Sequence, residues 1–444
     1  MISAKTYMLG IAAIMVSALI KAQTLETLQL DEAIAIAVEN NYGIKAIKTD
    51  VEVAKNNNTL GNAGLLPSVG INAGYDLSFD NLDLTIANFA NDGQGNRNIS
   101  ENGVQSYNIH GSVDVTYPII RGVRGQYLLD QLGYLETIGN KQLELEVELL
   151  TVNVTTSYLD IARRFYLTEI AQEGVVISLE RYQRAKNAFE FGNSNRLEIL
   201  QAEVDLKNDS LALKQSQLQY ENSKRNLNAL LSRKPNESIT VSNQIKITEM
   251  LPDIETLVSE SLENNTRLHL LKSGIDISES NISIAKASRF PELNVFASYR
   301  YLESDTEVGQ LLNIQRTGPL VGISLRQNIF NGSNVKRQIT NTKLEKEKQD
   351  YQYEDAKIQL ETEITNGYNE YLNNLEQLRI AKENVGTTER NYERASSEYK
   401  NGQINATALR EVNLNLIRAK NLIVDFSYLV RVSEIRLLQL TGKL

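Results

Sequence analysis

The most constraining feature of this sequence is that its second half repeats its first half. At an offset of 224 residues the match needs no gap and begins where Glu39-Asn40-Asn41 aligns with Glu263-Asn264-Asn265. The same offset matches Lys48 with Lys272, Ala63 with Ala287, Pro67 with Pro291, Ala73 with Ala297 and Tyr75 with Tyr299. Such self-similarity indicates that one supersecondary unit occurs twice in the fold.

Further along the chain the offset becomes 210 and stays there. It matches Ile119 with Ile329, Gly122 with Gly332, Tyr158 with Tyr368, Gly192 with Gly402, Asn195 with Asn405, Leu227 with Leu437 and Leu230 with Leu440. The change of 14 falls between two predicted strands, so we expect a longer surface loop in the first copy. The predicted organisation is a signal peptide (1–22), a first repeat (23–232), a connecting segment (233–252) and a second repeat (253–444).

The N-terminus has the pattern of a secretory signal peptide. Lys5 precedes an apolar stretch from Tyr7 to Ile20, and Lys-Ala-Gln follows it, which fits cleavage after Ala22. The stretch is too short for a stop-transfer anchor, and no later window has the eighteen apolar residues of a membrane-spanning helix. We therefore expect an exported protein that contacts a membrane by some means other than a helix.

Composition argues against catalysis and metal binding. The sequence contains no cysteine and two histidines, His110 and His269, and it has no phosphate-binding loop, zinc pair or nucleophile elbow. We therefore predict a protein that is not an enzyme and that uses no cofactor and no metal. The net charge of −9 falls to about −11 without the signal peptide, which disfavours nucleic acid and fits either solubility or a cation-favouring duct.

Helical periodicity accounts for most of each copy. The pattern predicts helices over Asp31–Leu65 and Asp253–Arg289 and much longer ones beginning at Gly122 and Gly332. The first long helix, up to Phe191, would measure roughly 100 Å at about 1.5 Å per residue. It would turn at a glycine, Gly192 or Gly402, into a return helix, so each copy contains a long helical hairpin. Two short helices stacked end to end would match one long helix.

Alternating segments predict a pair of strands in each copy. In the first copy they are Pro67–Phe79 and Tyr107–Tyr117, and in the second they are Leu293–Tyr301 and Val321–Ile329. Ten-residue segments with apolar and small polar residues on opposite faces are typical of membrane barrel strands. Four strands cannot close a barrel, so chains must share one. Two copies would give eight strands and three would give twelve, and a duct favours three.

The sequence resembles that of a known protein family. The signal peptide, Leu30-Asp31-Glu32-Ala33, Tyr117-Pro118-Ile119-Ile120-Arg121-Gly122 and its copy Asn328-Ile329-Phe330-Asn331-Gly332 are similar to those of TolC-like outer-membrane efflux proteins. The resemblance implies a mainly helical homotrimer in the outer membrane. Its twelve strands would form one barrel, and its hairpins a periplasmic tunnel. A periplasmic adaptor would link the tunnel to an inner-membrane transporter, completing a tripartite export system.

The resemblance also implies roles for residues at the hairpin tips. The predicted adaptor-contact residues are Gly192, Asn195, Leu197, Gly402 and Asn405. The predicted gate residues are Glu198 and Glu411 in the family's acidic places and Tyr399 in its aromatic place. The sequence departs from the family at Ile404 and Ala408, which stand where a base and an acid are usual. Arg196 and Arg410 lie nearby and are the candidates to replace the missing base.

Two other classes of protein share some of these features. A periplasmic adaptor also has an exported N-terminus and a long hairpin, although adaptors normally carry one hairpin with globular β domains. A non-porous coiled-coil scaffold would also contain sustained helices. The duplication and the alternating strands favour the export channel over both.

Overall fold

The structure of the protein is a computed structural model that describes residues 27–87, 95–120, 124–192, 194–247, 251–309 and 311–444. The predicted signal peptide lies outside these residues. Contacts divide the chain into two compact units. Among the described residues, the helical unit comprises 27–49, Lys141–Leu270 and Glu354–Leu444, and the strand unit comprises Asp50–Asn140 and Leu271–Tyr353.

The described residues form the same order of elements twice. The first series is α1 (Leu30–Asn40), α2 (Tyr42–Asn57), β1 (Ser68–Ile86), β2 (Arg97–Ile120), α3 (Arg124–Glu190) and α4 (Arg196–Leu230). The second series is α5 (Ile254–Asn264), α6 (Thr266–Ala287), β3 (Glu292–Thr306), β4 (Asn313–Arg326), α7 (Asn334–Lys400) and α8 (Ala406–Leu440). Both α3 and α7 have 67 residues, and both α4 and α8 have 35. The predicted long hairpins are therefore present in both series.

The prediction of one unbroken helix at the start of each copy is wrong. Each helix is interrupted at a single asparagine, Asn41 or Asn265, whose ψ angles of 126° and 120° are far from helical. Asn41 Nδ2 donates to the Leu230 carbonyl at 3.1 Å, and Asn265 Nδ2 donates to the Leu440 carbonyl at 2.9 Å. Each asparagine also accepts a backbone N–H of the next helix through its Oδ1. The side chains thus replace the hydrogen bonds that the break removes.

A tyrosine holds the connecting segment in the core of the helical unit. The buried Tyr158 hydroxyl donates to the Leu28 carbonyl at 2.7 Å and accepts the Ser242 N–H at 3.0 Å. Leu28 and Val241 form a short parallel bridge beside it. Apolar side chains from α1, α3 and α4 pack around these residues. Burial of this cluster attaches the connecting segment to the long helix α3.

The four strands form one antiparallel sheet in the order β1-β2-β3-β4. The register pairs Ile71 with Val113, Val113 with Tyr299, and Tyr299 with Pro319. The connection between the two strands is longer in the first copy (87–96) than in the second (307–312), as expected. The extra residues also extend both strands, because β1–β2 pairing continues to Ile86 and Arg97 whereas β3–β4 pairing ends at Asp305 and Asn313. A longer ribbon results, with a register shift between Asp80 and Leu82.

The two faces of the sheet differ in chemistry. One face presents large apolar side chains to solvent, and Val69, Ile71, Val321 and Ile323 are between 69% and 79% exposed.

The predicted strand ending at Ile329 is too long, because β4 ends at Arg326. Among the described residues, no helix is sufficiently long and apolar to cross a membrane.

Candidate functional site: the hairpin tips and the charged cluster beside them

The two hairpins turn in the same way at their tips. Gly192 and Gly402 have φ angles of 77° and 74°, a left-handed conformation that glycine adopts without steric cost. Asn195 Oδ1 accepts the Glu198 N–H at 3.0 Å, and Asn405 Oδ1 accepts the Ala408 N–H at 2.9 Å. These four predicted adaptor-contact residues therefore form the turns and the helix caps.

The predicted gate residues occupy different environments. Arg196, Glu198 and Glu411 are exposed, and none of them forms an ion pair within the described part of the chain. Ser194 Oγ donates to Glu198 Oε2 at 2.6 Å. Tyr399 on α7 lies under the Arg184 guanidinium of α3, at 5.7 Å from its ring centroid. The structure therefore does not bring the four residues together within one chain.

Arg410, the fifth predicted gate residue, points into the helical unit. Its Nη1 donates to Asp209 Oδ2 at 2.6 Å and its Nη2 donates to Asp209 Oδ1 at 2.7 Å. The two side chains are only 14% and 13% exposed, and this parallel geometry is the strongest form of an arginine–carboxylate pair. The hydrogen bond to Asp209 raises the pKa of the Arg410 guanidinium, so the guanidinium stays charged. Arg410 thereby connects α8 to α4.

A second ion pair extends this contact to α3. Arg181 Nη2 lies 3.0 Å from Asp205 Oδ2, and Arg410 Nε lies 3.7 Å from Asp205 Oδ1. Ser178 on α3 donates its hydroxyl to Asp209. The charged cluster, defined as Ser178, Arg181, Asp205, Asp209 and Arg410, has two bases and two acids and is electrically neutral. Charge neutrality is the condition under which buried ion pairs are tolerated. Arg181 Nε and Nη1 are buried without a hydrogen-bond partner in the described residues, so the cluster is not fully hydrogen-bonded.

Two cavities flank the charged cluster. One, of about 460 Å³, lies between α3 and α7 and is lined by Arg181, Arg184 and Tyr399 among others. The other, of about 290 Å³, includes Asp209 and apolar side chains of α3, α4 and α8, such as Ile170 and Ile417. The ion pairs of the charged cluster therefore lie between two spaces that the helices do not fill. In the described ranges, no three His, Cys, Asp or Glu residues are placed to hold a metal ion.

Sequence reasoning found Arg410 and missed its partners. Asp205 and Asp209 are four residues apart and Ser178 and Arg181 three apart, so each pair shares one face of its helix. That spacing was a usable signal for a polar patch on an otherwise apolar contact face. It did not reveal which helix the patch would meet.

Comparison with known proteins agrees with this architecture. A sequence model of the family described as "Outer membrane efflux protein" matches residues 33–233 and 257–443. The chain therefore belongs to the outer membrane efflux protein family. No curated protein sequence matches the chain.

Solved structures of outer-membrane channels have the same fold. The Campylobacter jejuni CmeC channel is similar with a TM-score of 0.76 at 16% identity, over 93% of this chain and 85% of CmeC. The Vibrio cholerae outer membrane protein VceC gives 0.72 at 13% identity, over 93% and 96% of the two chains. The open Neisseria gonorrhoeae MtrE channel gives 0.71 at 16% identity, over 93% and 89%. The predicted fold class is confirmed.

Family membership and fold define the class of activity. The protein is an export channel of the outer membrane, as the sequence resemblance implied. The adaptor and the non-porous scaffold are not favoured.

Proposed function

We propose that three copies of the chain close one twelve-stranded barrel in the outer membrane and that their hairpins form a tunnel in the periplasm. The tunnel would receive substrates from an inner-membrane transporter through a periplasmic adaptor. The repeats 23–232 and 253–444 would each supply one sector of its wall, joined by 233–252.

The observation that carries this proposal is the exposed apolar face of the sheet. Within the described residues, β1 pairs only with β2 and β4 pairs only with β3, so each has one unpaired edge. The backbone groups of an unpaired edge lack hydrogen-bond partners, which is unfavourable in hydrocarbon. An unpaired edge beside apolar side chains such as Ile71, 79% exposed, also favours aggregation in water. Pairing β4 of one copy with β1 of the next removes both edges and gives the apolar face a lipid environment.

The opposite face of the sheet is suited to line water. Asn72 Nδ2 and Ser112 Oγ donate to Asp114 Oδ2 at 2.7 and 2.6 Å, and His110 Nδ1 lies 3.5 Å from Asp76 Oδ2. A channel lumen needs polar groups of this kind, which bind water and one another.

The hairpin tips are suited to a gate and to a partner. Phe191 and Leu197 are 79% and 62% exposed at the first tip, so a partner can bury apolar surface there. We assign adaptor contact to Gly192, Asn195, Leu197, Gly402 and Asn405. We assign the gate to Arg196, Glu198, Tyr399 and Glu411, with contacts formed between copies. Arg410 acts within its own chain, because its pairing with Asp209 holds α8 beside α4.

Cysteine crosslinking tests the shared barrel, because the chain has no cysteine of its own. Ile71→Cys on β1 would be combined in turn with a cysteine at Thr317, Val321, Ile323 or Leu325 on β4 and treated with a short bismaleimide. We expect covalent trimers from one or two neighbouring β4 positions and none from the single-cysteine proteins. Covalent dimers without trimers would favour an eight-stranded barrel and contradict the proposal.

A further inference from the structure

The connection between β4 and α7 is the most exposed apolar segment of the described chain. Ile329 and Phe330 are 96% and 84% exposed, the two highest values among its large hydrophobic side chains. Adjacent apolar residues so fully exposed are unfavourable in water and point to a partner that covers them.

Hydrogen bonds hold this connection in place. Gln327 Nε2 donates to the Arg289 carbonyl at 2.9 Å, which ties the connection to the end of α6. Arg337 Nη1 donates to the Gly332 carbonyl at 2.9 Å. Gly332 and Ser333 turn the chain into α7 with φ angles of 62° and 63°. These hydrogen bonds hold both ends of the connection, which limits the ordering entropy that is lost when a partner covers Ile329 and Phe330.

The same connection carries positive charge. Arg289 and Lys336 line an open cleft of about 480 Å³ together with Ile329 and Phe330, and no acid lines it. Neither base forms an ion pair with any acid in the described ranges. An anionic group would neutralise both.

The cleft continues the apolar face of the sheet. Ile323 and Leu325, 71% and 69% exposed, lie on that face at the end of β4 that leads into the connection. In membrane proteins, an apolar band that ends in an aromatic residue and bases lies at the level of the lipid headgroups.

We propose that Arg289, Ile329, Phe330 and Lys336, here named the rim site, bind an acidic phospholipid. The two bases contact its headgroup phosphate, and Ile329 and Phe330 enter the acyl chains. This proposal rests on the proposed barrel, since it requires the apolar face to be in lipid. Basic clefts beside membrane-embedded surfaces recognise anionic headgroups in this way.

The first copy lacks the charges of the rim site. Leu65 stands where the second copy has Arg289, and Gln126 stands where it has Lys336. Ile119, the counterpart of Ile329, is 52% exposed and lies in β2. The first copy carries bases at other positions, Arg121 and Arg124, where the second copy has Asn331 and Asn334, so the rim site as defined belongs to the second copy.

Tryptophan fluorescence tests the proposal directly, because the chain contains no tryptophan. The full-length variant Phe330→Trp would be reconstituted in phosphatidylethanolamine vesicles with either brominated phosphatidylglycerol or brominated phosphatidylcholine as quencher. We expect quenching by both lipids, with stronger association of phosphatidylglycerol. Adding Arg289→Gln and Lys336→Gln should lower that preference by about fivefold for each removed charge. Lys343→Gln with Lys348→Gln, exposed lysines further along α7, is the matched control and should leave it unchanged.

A second probe separates this proposal from the barrel. Val321→Trp lies on the apolar face, and its quenching reports insertion of the sheet. Quenching of Val321→Trp without quenching of Phe330→Trp would overturn the rim site and leave the barrel intact, as expected if a neighbouring copy covers the segment. Equal quenching of Phe330→Trp by both lipids would overturn the headgroup preference. Absence of quenching at both positions would contradict the barrel itself. Inorganic phosphate at millimolar concentration should not compete, and competition would identify the ligand as free phosphate.

Discussion

The two copies of the repeat are alike where α1 meets α2 and α5 meets α6, and unlike near the hairpin tips. Asn41 and Asn265 are equivalent residues, and each donates to the last residue of its own return helix, Leu230 or Leu440. A break in a helix has the same backbone requirements in both copies, and the same side chain meets them.

Near the tips the charged cluster exists only once. Ala419 is the counterpart of Asp209, and Leu200 is the counterpart of Arg410. The ion pair joins α4 of the first copy to α8 of the second, so it requires opposite charges at positions that are not equivalent. A strictly symmetric repeat would give both helices both charges and create unpaired ones. The two copies therefore share their local backbone geometry. The side chains that join one copy to the other differ between the copies, because opposite charges are needed at positions that are not equivalent.

Removing the acid of the main ion pair should have the largest effect. Asp209→Ala leaves the Arg410 guanidinium, 14% exposed, without its parallel hydrogen bonds, which should cost about 2–3 kcal/mol of folding free energy. The thermal midpoint of the reconstituted protein checks the loss of stability. In planar bilayers the variant should also conduct more often, because α8 is no longer held beside α4.

The controls for this prediction use residues of the same helix. Glu203→Ala removes a half-buried acid of α4 that pairs with Lys207 on the same helix, and it should change stability by less than about 0.5 kcal/mol. The exchange Asp209→Arg with Arg410→Asp should recover part of the loss. An Asp209→Ala protein as stable as Glu203→Ala would contradict a structural role for the cluster.

The equivalent asparagines should show comparable losses of stability. Asn265 is buried and Asn41 is half-buried, so Asn265→Ala should cost about 1–2 kcal/mol and Asn41→Ala about 1 kcal/mol. Asn264→Ala, at the exposed neighbouring position, is the control and should have little effect. Thermal unfolding measures all three. A loss at only one of the two asparagines would show that the break is not equivalent in the two copies.

The sequence predicted the elements better than their ends and contacts. The repeat and the apolar spacing were enough to predict the hairpins and the strand pairs. Asn41 was missed because the apolar pattern continues across it, while the break depends on the distant Leu230 carbonyl. The strand extension was missed because residues 80–86 and 97–101 carry many polar side chains. The charged cluster was missed because periodicity defines a helix face but not the face it meets.

Two glycines of the strand unit lie against aromatic rings, and replacing one of them tests whether this contact contributes to stability. A β-carbon at Gly74 would lie 2.4 Å from the His110 ring, and one at Gly322 would lie 2.5 Å from Phe296. These glycine–ring contacts lie at non-equivalent positions of the two copies, since Ser298 is the counterpart of Gly74. Gly74→Ala must displace His110 and should cost about 1 kcal/mol. Gly70→Ala has open space and should be neutral when both variants are compared by thermal unfolding of the reconstituted protein. Equal losses of stability in Gly74→Ala and Gly70→Ala would contradict a steric contribution from the His110 ring.

The smallest expected effect is a pH dependence that belongs to the first copy alone. Burial raises the pKa of Glu148 above its usual value near 4.5, although the Thr266 hydroxyl donates to it; its counterpart is Ile358. A carboxyl with a raised folded-state pKa binds its proton more strongly when folded. Its stabilising contribution is therefore complete below the unfolded pKa and is lost as the pH rises through the folded pKa.

Glu148→Gln keeps the shape and removes the charge, so it should raise the thermal midpoint by about 1–2 °C at pH 8 and leave it unchanged at pH 4. Glu146→Gln, two residues away and half-buried, is the control, and a shift independent of pH in Glu148→Gln would contradict the prediction.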